Sequence, residues 1–472
     1  MIGRDRERRM LEDARDSEYS EFVAVYGRRR IGKTFLIRET FDYSFTFQHS
    51  GIANSGMRRQ LRAFAGSLKE AGLELNSMPA DWFDAFDSLK GLLRQSPERK
   101  KIVFFDEMPW MDTPKSGFVA ALENFWNAWA SARKDILLIV CGSATSWVVD
   151  KILRNRGGLH NRVTVQIPLE PFTLRECELF AESRKLGFSR RQIAETYMAL
   201  GGVPFYWRLL ERGLSPAQNF DALFFSPTAK LRMEYGELYA SLFKKPAPYE
   251  AIVSALGEKG TGLSRAELSA ATGLPETGTL TRQLEELEQC GFIRKYAALG
   301  KKNKGAVFQL IDNFTLFHFK AEKAVRGIGG RNWTQSAGSP FVSAWEGIAF
   351  ERVCLQHVGQ IKAALQIGGV AAQVAAWRGE ADGESAQIDL VIDRADGVVN
   401  LCEMKFSREP YSLDAEELRR LERRRRIFKA ATGTGKAIHL TMVVAPELKR
   451  NSAAFDIQSV VSLDDLFCEG AF

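Results

Sequence analysis

Short apolar runs, each closed by a polar or glycine-bearing turn, set the rhythm of the first 170 residues. The runs at 22–26, 101–105, 136–141 and 163–167 read as strands, the first of them buried. Phe35-Leu36-Ile37 opens a helix directly after a glycine-rich turn. From 172 to about 239 the pattern turns helical, with Leu174, Cys177 and Phe180 on one face and Ile193, Tyr197 and Leu200 on another. Lys244-Lys245-Pro246-Ala247-Pro248 breaks that pattern and predicts a boundary. Three short helices follow, at 249–256, from Ser264 onward and at 278–289. Ser264 is placed as an N-cap with Glu267 three residues on, and Leu280, Leu284 and Leu287 form a stripe on the third helix. Strands at 292–293 and 307–310 flank the basic tip Lys301-Lys302-Asn303-Lys304. Beyond a Gly/Ser/Trp-rich stretch at 327–340 come a helix at 345–353 and paired strands at 386–393 and 398–405. A very basic helix at 418–428 and a last strand around Val443-Val444 complete the pattern.

At 472 residues the chain is too long for one core, and three or four domains are expected. Its 45% hydrophobic and 26% charged content is that of a soluble globular protein. The charged N-terminus has no apolar signal core behind it and no run is long enough to span a bilayer, so a cytoplasmic protein without membrane partners is expected. Six scattered cysteines without a C-x-x-C pair, and only five histidines, argue against a disulfide frame or a zinc site. The net charge of +7 is compatible with an anionic partner but does not select one.

The turn between the first strand and its helix is Gly27-Arg28-Arg29-Arg30-Ile31-Gly32-Lys33-Thr34, the spacing G-x-x-x-x-G-K-T. Backbone N–H groups and a helix N-terminus then point at phosphate oxygens. Lys33 is placed to reach the β- and γ-phosphates and Thr34 to join a Mg²⁺ shell, with Phe35 next to them. The strand at 101–105 ends in Asp106-Glu107, as in a Walker B arrangement. Asp106 would hold Mg²⁺ through water and Glu107 would orient the attacking water. At the tip of the next strand Ser143 or Thr145 would sense the γ-phosphate, with local turn bonding as the plainer reading. Of the arginines at 154, 156 and 162, Arg162 is the preferred finger toward a neighbour's nucleotide, with surface ion pairing as the alternative.

With Ile2-Gly3-Arg4, Glu7, Cys141-Gly142-Ser143, Leu169-Glu170-Pro171-Phe172 and Gly201-Gly202-Val203-Pro204-Phe205-Tyr206 added, the chain resembles the P-loop ATPases of the AAA+/STAND grouping. The resemblance implies ATP and Mg²⁺, with Pro204 near the adenine and Gly3 and Arg4 packed on the other side of the base. Three consecutive arginines are bulkier than the small residues of many phosphate loops.

The three helices and two strands after Pro248 read as a winged helix-turn-helix. Thr277, Thr279, Arg282 and Gln283 are expected on the exposed face of its third helix, and lysines on the wing at phosphates. A protein-binding winged helix is the alternative, and Glu285, Glu286 and Glu288 would repel DNA unless turned away. In the tail, Asp389 on one strand and Glu403-Met404-Lys405 on the next fit metal-dependent phosphodiester cleavage. Asp389 and Glu403 supply oxygen ligands, and Lys405 handles the water and the phosphorane charge. This is similar to the PD-(D/E)xK, restriction-endonuclease-like superfamily. By that resemblance Glu351 supports the metal shell and Gln387 flanks it, with Glu346 as the competing helix acid.

The fold expected is thus multidomain α/β. It comprises a P-loop parallel-sheet ATPase core (1–171), a helical lid (172–243), a winged helix-turn-helix (244–312), a linker (313–338) and an α/β nuclease-like domain (339–472). The function expected is ATP hydrolysis coupled to a DNA-associated nuclease in a possible homo-oligomer. A non-cleaving switch that binds DNA or protein through its winged helix is the alternative. A small-molecule kinase is disfavoured, because no substrate-lid signature accompanies the loop.

Overall fold

The computed structural model describes residues 1–143, 145–154, 157–243, 245–259, 262–296, 299, 306–322, 325, 332–336 and 338–470. Arg156 and the expected wing tip 301–304 lie outside them. The chain divides into two compact units, Met1–Glu170 and Pro171–Phe472.

In the first unit β1 (Glu21–Tyr26), β2 (Phe47–Ser50), β3 (Lys101–Asp106), β4 (Ile136–Gly142) and β5 (Val165–Pro168) form a parallel sheet in the order β2-β3-β4-β1-β5. Helices cover both faces of such a sheet, so its strands read as unbroken apolar runs; every residue of β4 is buried. Alternate side chains feed two cores. Phe22 and Ala24 join an aromatic cluster that includes Phe64, Trp82, Phe86 and Phe105. Val23 and Val25 join Leu11, Leu36, Ile37 and Ile139. Sequence reading missed β2 because its four residues alternate, Phe47 and His49 buried, Gln48 and Ser50 exposed.

β4 lies between β1 and β3. The strand leading into the glycine loop and the strand ending in the acid pair are therefore not neighbours, and the tip of β4 stands between their two ends.

The second unit opens with the helices Leu174–Ser183, Arg190–Leu200 and Pro204–Arg208. Then come the helix Ala247–Lys259, the short β6 (Leu263–Ser264), the helices Arg265–Thr272 and Gly278–Gln289, β7 (Ile293–Tyr296) and β8 (Val307–Leu310). β6, β8 and β7 form an antiparallel sheet in that order. Ser264 caps its helix, its hydroxyl accepting from Glu267 N–H while Glu267 reaches back to the Ser264 N–H. As expected, helicity breaks ahead of Pro248: the helix Glu234–Leu242 ends, and Pro248 then sits in the first turn of Ala247–Lys259, where a missing N–H costs nothing. Gln283 is not on the exposed face: it is 8% exposed. Three residues after Leu280 and four before Leu287, it falls on the buried stripe.

The tail holds the helix Pro340–Gln356 and a mixed sheet of β9 (Ala372–Ala381), β10 (Glu384–Arg394), β11 (Val398–Phe406), β12 (Ala437–Ala445) and β13 (Ser459–Ser462). Its order is β13-β12-β11-β10-β9, antiparallel from β9 to β11 and parallel from β11 to β13. The helix Ala415–Thr432 makes the crossover that the parallel β11–β12 pairing requires.

The stretch 313–338 is not a free linker over its described part. The helix Asn313–Phe317 is buried at every position. Phe314, Phe317 and Trp333 belong to one core that runs from Phe172 to Phe467. Each such side chain gains ~1.5–3 kcal/mol on burial, too much for this segment to stay in water. The same core joins the segments expected as lid, three-helix domain and nuclease-like domain, so they share apolar packing within one unit.

The Gly201-Gly202-Val203-Pro204 turn is packed without room to spare. Phe172 N–H donates to Gly202 O at 2.6 Å, and Pro204 is the first residue of its helix. A Cβ at Gly202 would stand 1.8 Å from Phe172 O. Gly202→Ala is expected to destabilise the chain by on the order of 3 kcal/mol, read as a lower urea midpoint at unchanged slope.

Candidate functional site

The loop between β1 and the helix Lys33–Thr40 turns tightly around the Lys33 ammonium. Gly27 has φ 142°, and a Cβ there would lie 2.3 Å from Leu169 O. Only glycine lets the chain turn against the 169–170 segment, which is tied back by Leu169 N–H to Tyr26 O at 2.7 Å. Arg4, buried and left-handed at φ 66°, donates from Nη2 to Glu170 O at 2.6 Å, so Gly3 and Arg4 flank the same wall. Arg28 and Ile31 are buried, Arg29 and Arg30 half-buried, and Phe35 is exposed on the following helix.

Lys33 Nζ donates to Gly27 O and Arg28 O, each at 2.9 Å, and to Ser143 Oγ at 3.2 Å. The Thr34 hydroxyl donates to Asp106 Oδ1 at 3.0 Å and lies 3.1 Å from Oδ2. At the tip of β4, Ser143 Oγ meets Glu107 Oε1 at 2.6 Å, and Ser143 N–H donates to Glu107 Oε2 at 3.2 Å. Strand order explains this junction. Because β4 separates β1 from β3, its terminal serine is the residue that can touch both the loop lysine and the acid of β3. Thr145, the other candidate, is buried in the next helix, and among the described residues its hydroxyl has no hydrogen-bond partner.

One contact escaped sequence reading. Cys141, last but one in β4, donates from Sγ to Asp106 Oδ1 at 3.0 Å. Burial first, then the neighbouring Asp106 charge, pushes its thiol pKa well up, so it stays a protonated donor. The signal was a polarisable small residue at a strand tip beside an acid, which reads equally as plain core. Of the arginines, Arg162 is exposed on the turn before β5. The charge of Arg154 acts on the Tyr26 hydroxyl at the end of β1.

In the tail, the expected three-carboxylate cation site is not assembled. On β11, Glu403 Oε1 is 3.0 Å from Lys405 Nζ, and Oε2 accepts from Arg424 Nη1 at 2.6 Å. Lys405 also pairs with Glu417 Oε1 at 2.6 Å. Arg424 and Glu417 belong to Ala415–Thr432, so Glu403 and Lys405 face that helix. On β10 an irregularity between Ile388 and Val391 inserts an extra residue opposite β9. Ile388 and Val391 both join the core beneath Ala415–Thr432, whereas Leu390 joins the opposite one. Asp389 accepts from Gln387 Nε2 at 2.8 Å and bears on Glu351, on the other side of the sheet. A β-bulge thus turns Asp389 away from the face that simple alternation gave it.

Glu351 accepts from Arg352 Nη1 at 2.6 Å. Burial lifts its carboxyl to about 7; Arg352 opposes the shift and the like charge of Asp389 adds to it. Glu346, the competing helix acid, lines a separate cavity with Arg191, Glu195 and Arg408. Among the described residues no three His, Cys, Asp or Glu side chains are grouped to hold a metal. The basic helix is largely neutralised. Arg423 and Arg426 pair with Glu384, Arg424 with Glu403 and Arg425 with Glu422.

A parallel sheet with a phosphate loop after β1 and an acid pair at the end of β3 defines the first unit as a P-loop ATPase fold. Residues 1–210 match the family described as an ATPase domain predominantly from Archaea. An uncharacterised protein of Methanocaldococcus jannaschii is 22% identical over 329 residues, 68% of this chain and 68% of its own length. The Walker-type ATPase of Pyrococcus abyssi superposes with a TM-score of 0.50 at 17% identity, covering 68% of this chain and 96% of that one. At such identity the likeness is one of fold. The ORC2 protein of Aeropyrum pernix reaches a TM-score of 0.41 at 13% identity, over 70% of this chain and 95% of that one. Among the described residues no helix is long and apolar enough to cross a membrane.

Proposed function

We propose that the chain is a Mg²⁺-dependent ATPase whose second unit engages DNA without cutting it. The observation that carries the hydrolytic half is the Ser143 junction, where one hydroxyl lies within hydrogen-bond reach of both Lys33 and Glu107. The residues present fit a metal–triphosphate. Thr34 and Asp106 already face each other through a hydroxyl–carboxylate bond. The carbonyls around Lys33 hold its ammonium at the lip of the loop. Bound Mg²⁺ supplies neutralisation of phosphate charge. Lys33 exchanges a carbonyl partner for phosphate oxygen, the loop N–H groups hold the β-phosphate, and Glu107 orients and polarises the attacking water. Arg162 is the candidate finger toward the nucleotide of a second copy, and a homo-oligomer follows from that assignment. In the first unit Gly3 and Arg4 remain the candidates for contact with the base.

In the second unit, the order helix, β6, helix, helix, β7, β8 supports reading 247–310 as a winged helix-turn-helix. Thr277, Thr279 and Arg282, all exposed, form its DNA-facing edge. Glu286 is turned toward Tyr249 and Arg282, which removes part of its repulsion. The five-stranded sheet between Pro340–Gln356 and Ala415–Thr432 supports a restriction-endonuclease-like fold. The ion pairing of Glu403 with Lys405 and Arg424, and the turn of Asp389 to the other face, favour a scaffold over a nuclease.

Plasmid and single-stranded DNA incubated with Mg²⁺ or Mn²⁺, with and without ATP, are expected to stay intact. Fluorescence anisotropy should show DNA binding that weakens about tenfold in Arg282→Glu. Metal-dependent nicking that disappears in Lys405→Ala would restore the nuclease reading.

A further inference from the structure

A cavity of about 280 Å³ in the second unit belongs to none of this chemistry. It lies among the helices Arg190–Leu200 and Pro340–Gln356, the short helix Pro216–Phe220, Trp333 and Arg408. Its volume is near the lower end of the ~300–1,000 Å³ typical of small-molecule sites. One wall is aromatic. Trp333 stands edge-on to Trp345, with ring centroids 5.2 Å apart and planes at 88°, and Phe220 lies 6.0 Å from Trp333.

Four charged side chains complete the lining, and they differ in how far their bonding is satisfied. Arg191 is spent: its Nε pairs with Glu195 at 2.9 Å, its Nη1 donates to Ser407 O at 2.6 Å, and its plane lies over Phe406. Glu195 is matched to Arg191. Glu346 and the guanidinium of Arg408 are different. Neither makes a hydrogen bond or ion pair among the described residues, although the Arg408 charge acts on the Glu346 carboxyl. Glu346 is half-buried and Arg408 is exposed at the cavity's edge, and a half-withdrawn carboxylate without a direct partner favours a bound cation.

We infer that this cavity binds a small zwitterion of amino-acid type. Its carboxylate is taken by Arg408, its ammonium by Glu346, and its apolar side chain lies against Trp333, Trp345 and Phe220. The separated charges of the ligand match the separated charges of the site, and the planar guanidinium is the group suited to carboxylate. A simple anion would leave Glu346 uncompensated, and a simple amine would leave Arg408 so. The cavity is thus a small-molecule input on a unit whose proposed partner is DNA.

The test uses the full chain and isothermal titration with L-leucine and L-tryptophan, beside isoamylamine and isocaproate as the two half-ligands. At least one amino acid is expected to bind at least ten times more tightly than either half, since each charge-assisted contact is worth roughly tenfold or more. Glu346→Gln is expected to erase the advantage over isocaproate, and Arg408→Gln the advantage over isoamylamine. Glu346→Gln keeps size, Arg408→Gln shortens an exposed side chain, and unchanged thermal melting of the unliganded variants shows that they fold. No heat with either amino acid at millimolar concentration overturns the proposal. Binding of the amine or the acid alone as tightly as the zwitterion also overturns it, as does tight binding that neither variant alters.

Discussion

Glu107→Gln lowers steady-state phosphate release by about 10²-fold or more, while ATP still binds within a few-fold of the unaltered affinity. The carboxylate is held by two hydrogen bonds from Ser143 at a left-handed backbone position, φ 46°, at the end of β3. The amide keeps the size and one acceptor but cannot polarise water as a charged base does, so the loss falls on turnover and not on binding. Lys33→Ala behaves in the opposite way. It removes the cation that faces the phosphates, and nucleotide affinity falls together with turnover. Ser143→Ala is intermediate, because it removes one of the two hydrogen bonds to Glu107, leaving the backbone one, and one partner of Lys33. Phosphate release and fluorescent-nucleotide titration on the three variants separate these effects. Full turnover in Glu107→Gln would remove that residue from the chemistry.

These residues were legible in the sequence because their chemistry is tied to short, continuous spacing. Gly27, Gly32, Lys33 and Thr34 fall in one loop, and Asp106-Glu107 closes one apolar run. Buried parallel strands announce themselves as unbroken hydrophobic stretches, which is why β1, β3 and β4 could be placed from pattern alone. What the pattern does not carry is the insertion of single residues and the sharing of cores. The alternation Ala386-Gln387-Ile388-Asp389-Leu390 assigns Asp389 the same face as Glu403 across the strand. One extra residue before Val391 reverses that, and period-two patterning has no way to show a bulge. The stretch 313–338 looked like a linker for its glycines, whereas Phe314, Phe317 and Trp333 decide its fate by burial. Gln283 was misjudged by reading polarity ahead of helical position. Cys141 on Asp106 and Ser143 on Lys33 and Glu107 depend on strand order, a long-range property that no local window contains.

Acidification from about pH 6.5 to about pH 4 weakens the second unit through His357. This residue is 1% exposed, between the C-terminus of Pro340–Gln356 and the first turn of Leu174–Ser183. Leu174 N–H, one of the orphan donors of a helix start, donates to His357 Nε2 at 3.0 Å. That fixes the proton on Nδ1, which donates to Val353 O at 2.7 Å. Protonating Nε2 would set two donors against each other in a buried site. Burial holds the pKa down at about 4, against a smaller opposing effect from the Val353 carbonyl. The sign follows from linkage. A lowered pKa means that the unfolded chain binds a proton the native state refuses, so stability is full above about 6.5 and is lost as pH falls toward 4. The ceiling is on the order of 3 kcal/mol for this one group. His49 in the first unit, also held at about 4 by burial, adds a slope of the same sign there. His357→Leu is therefore expected to cost about 1–3 kcal/mol at pH 7.5 by orphaning Leu174 N–H, and to remove one proton's share of the pH slope. Urea titrations at pH 7.5, 6 and 5 measure both. A variant with the same slope as the unaltered chain would show that His357 does not set the acid sensitivity of this unit.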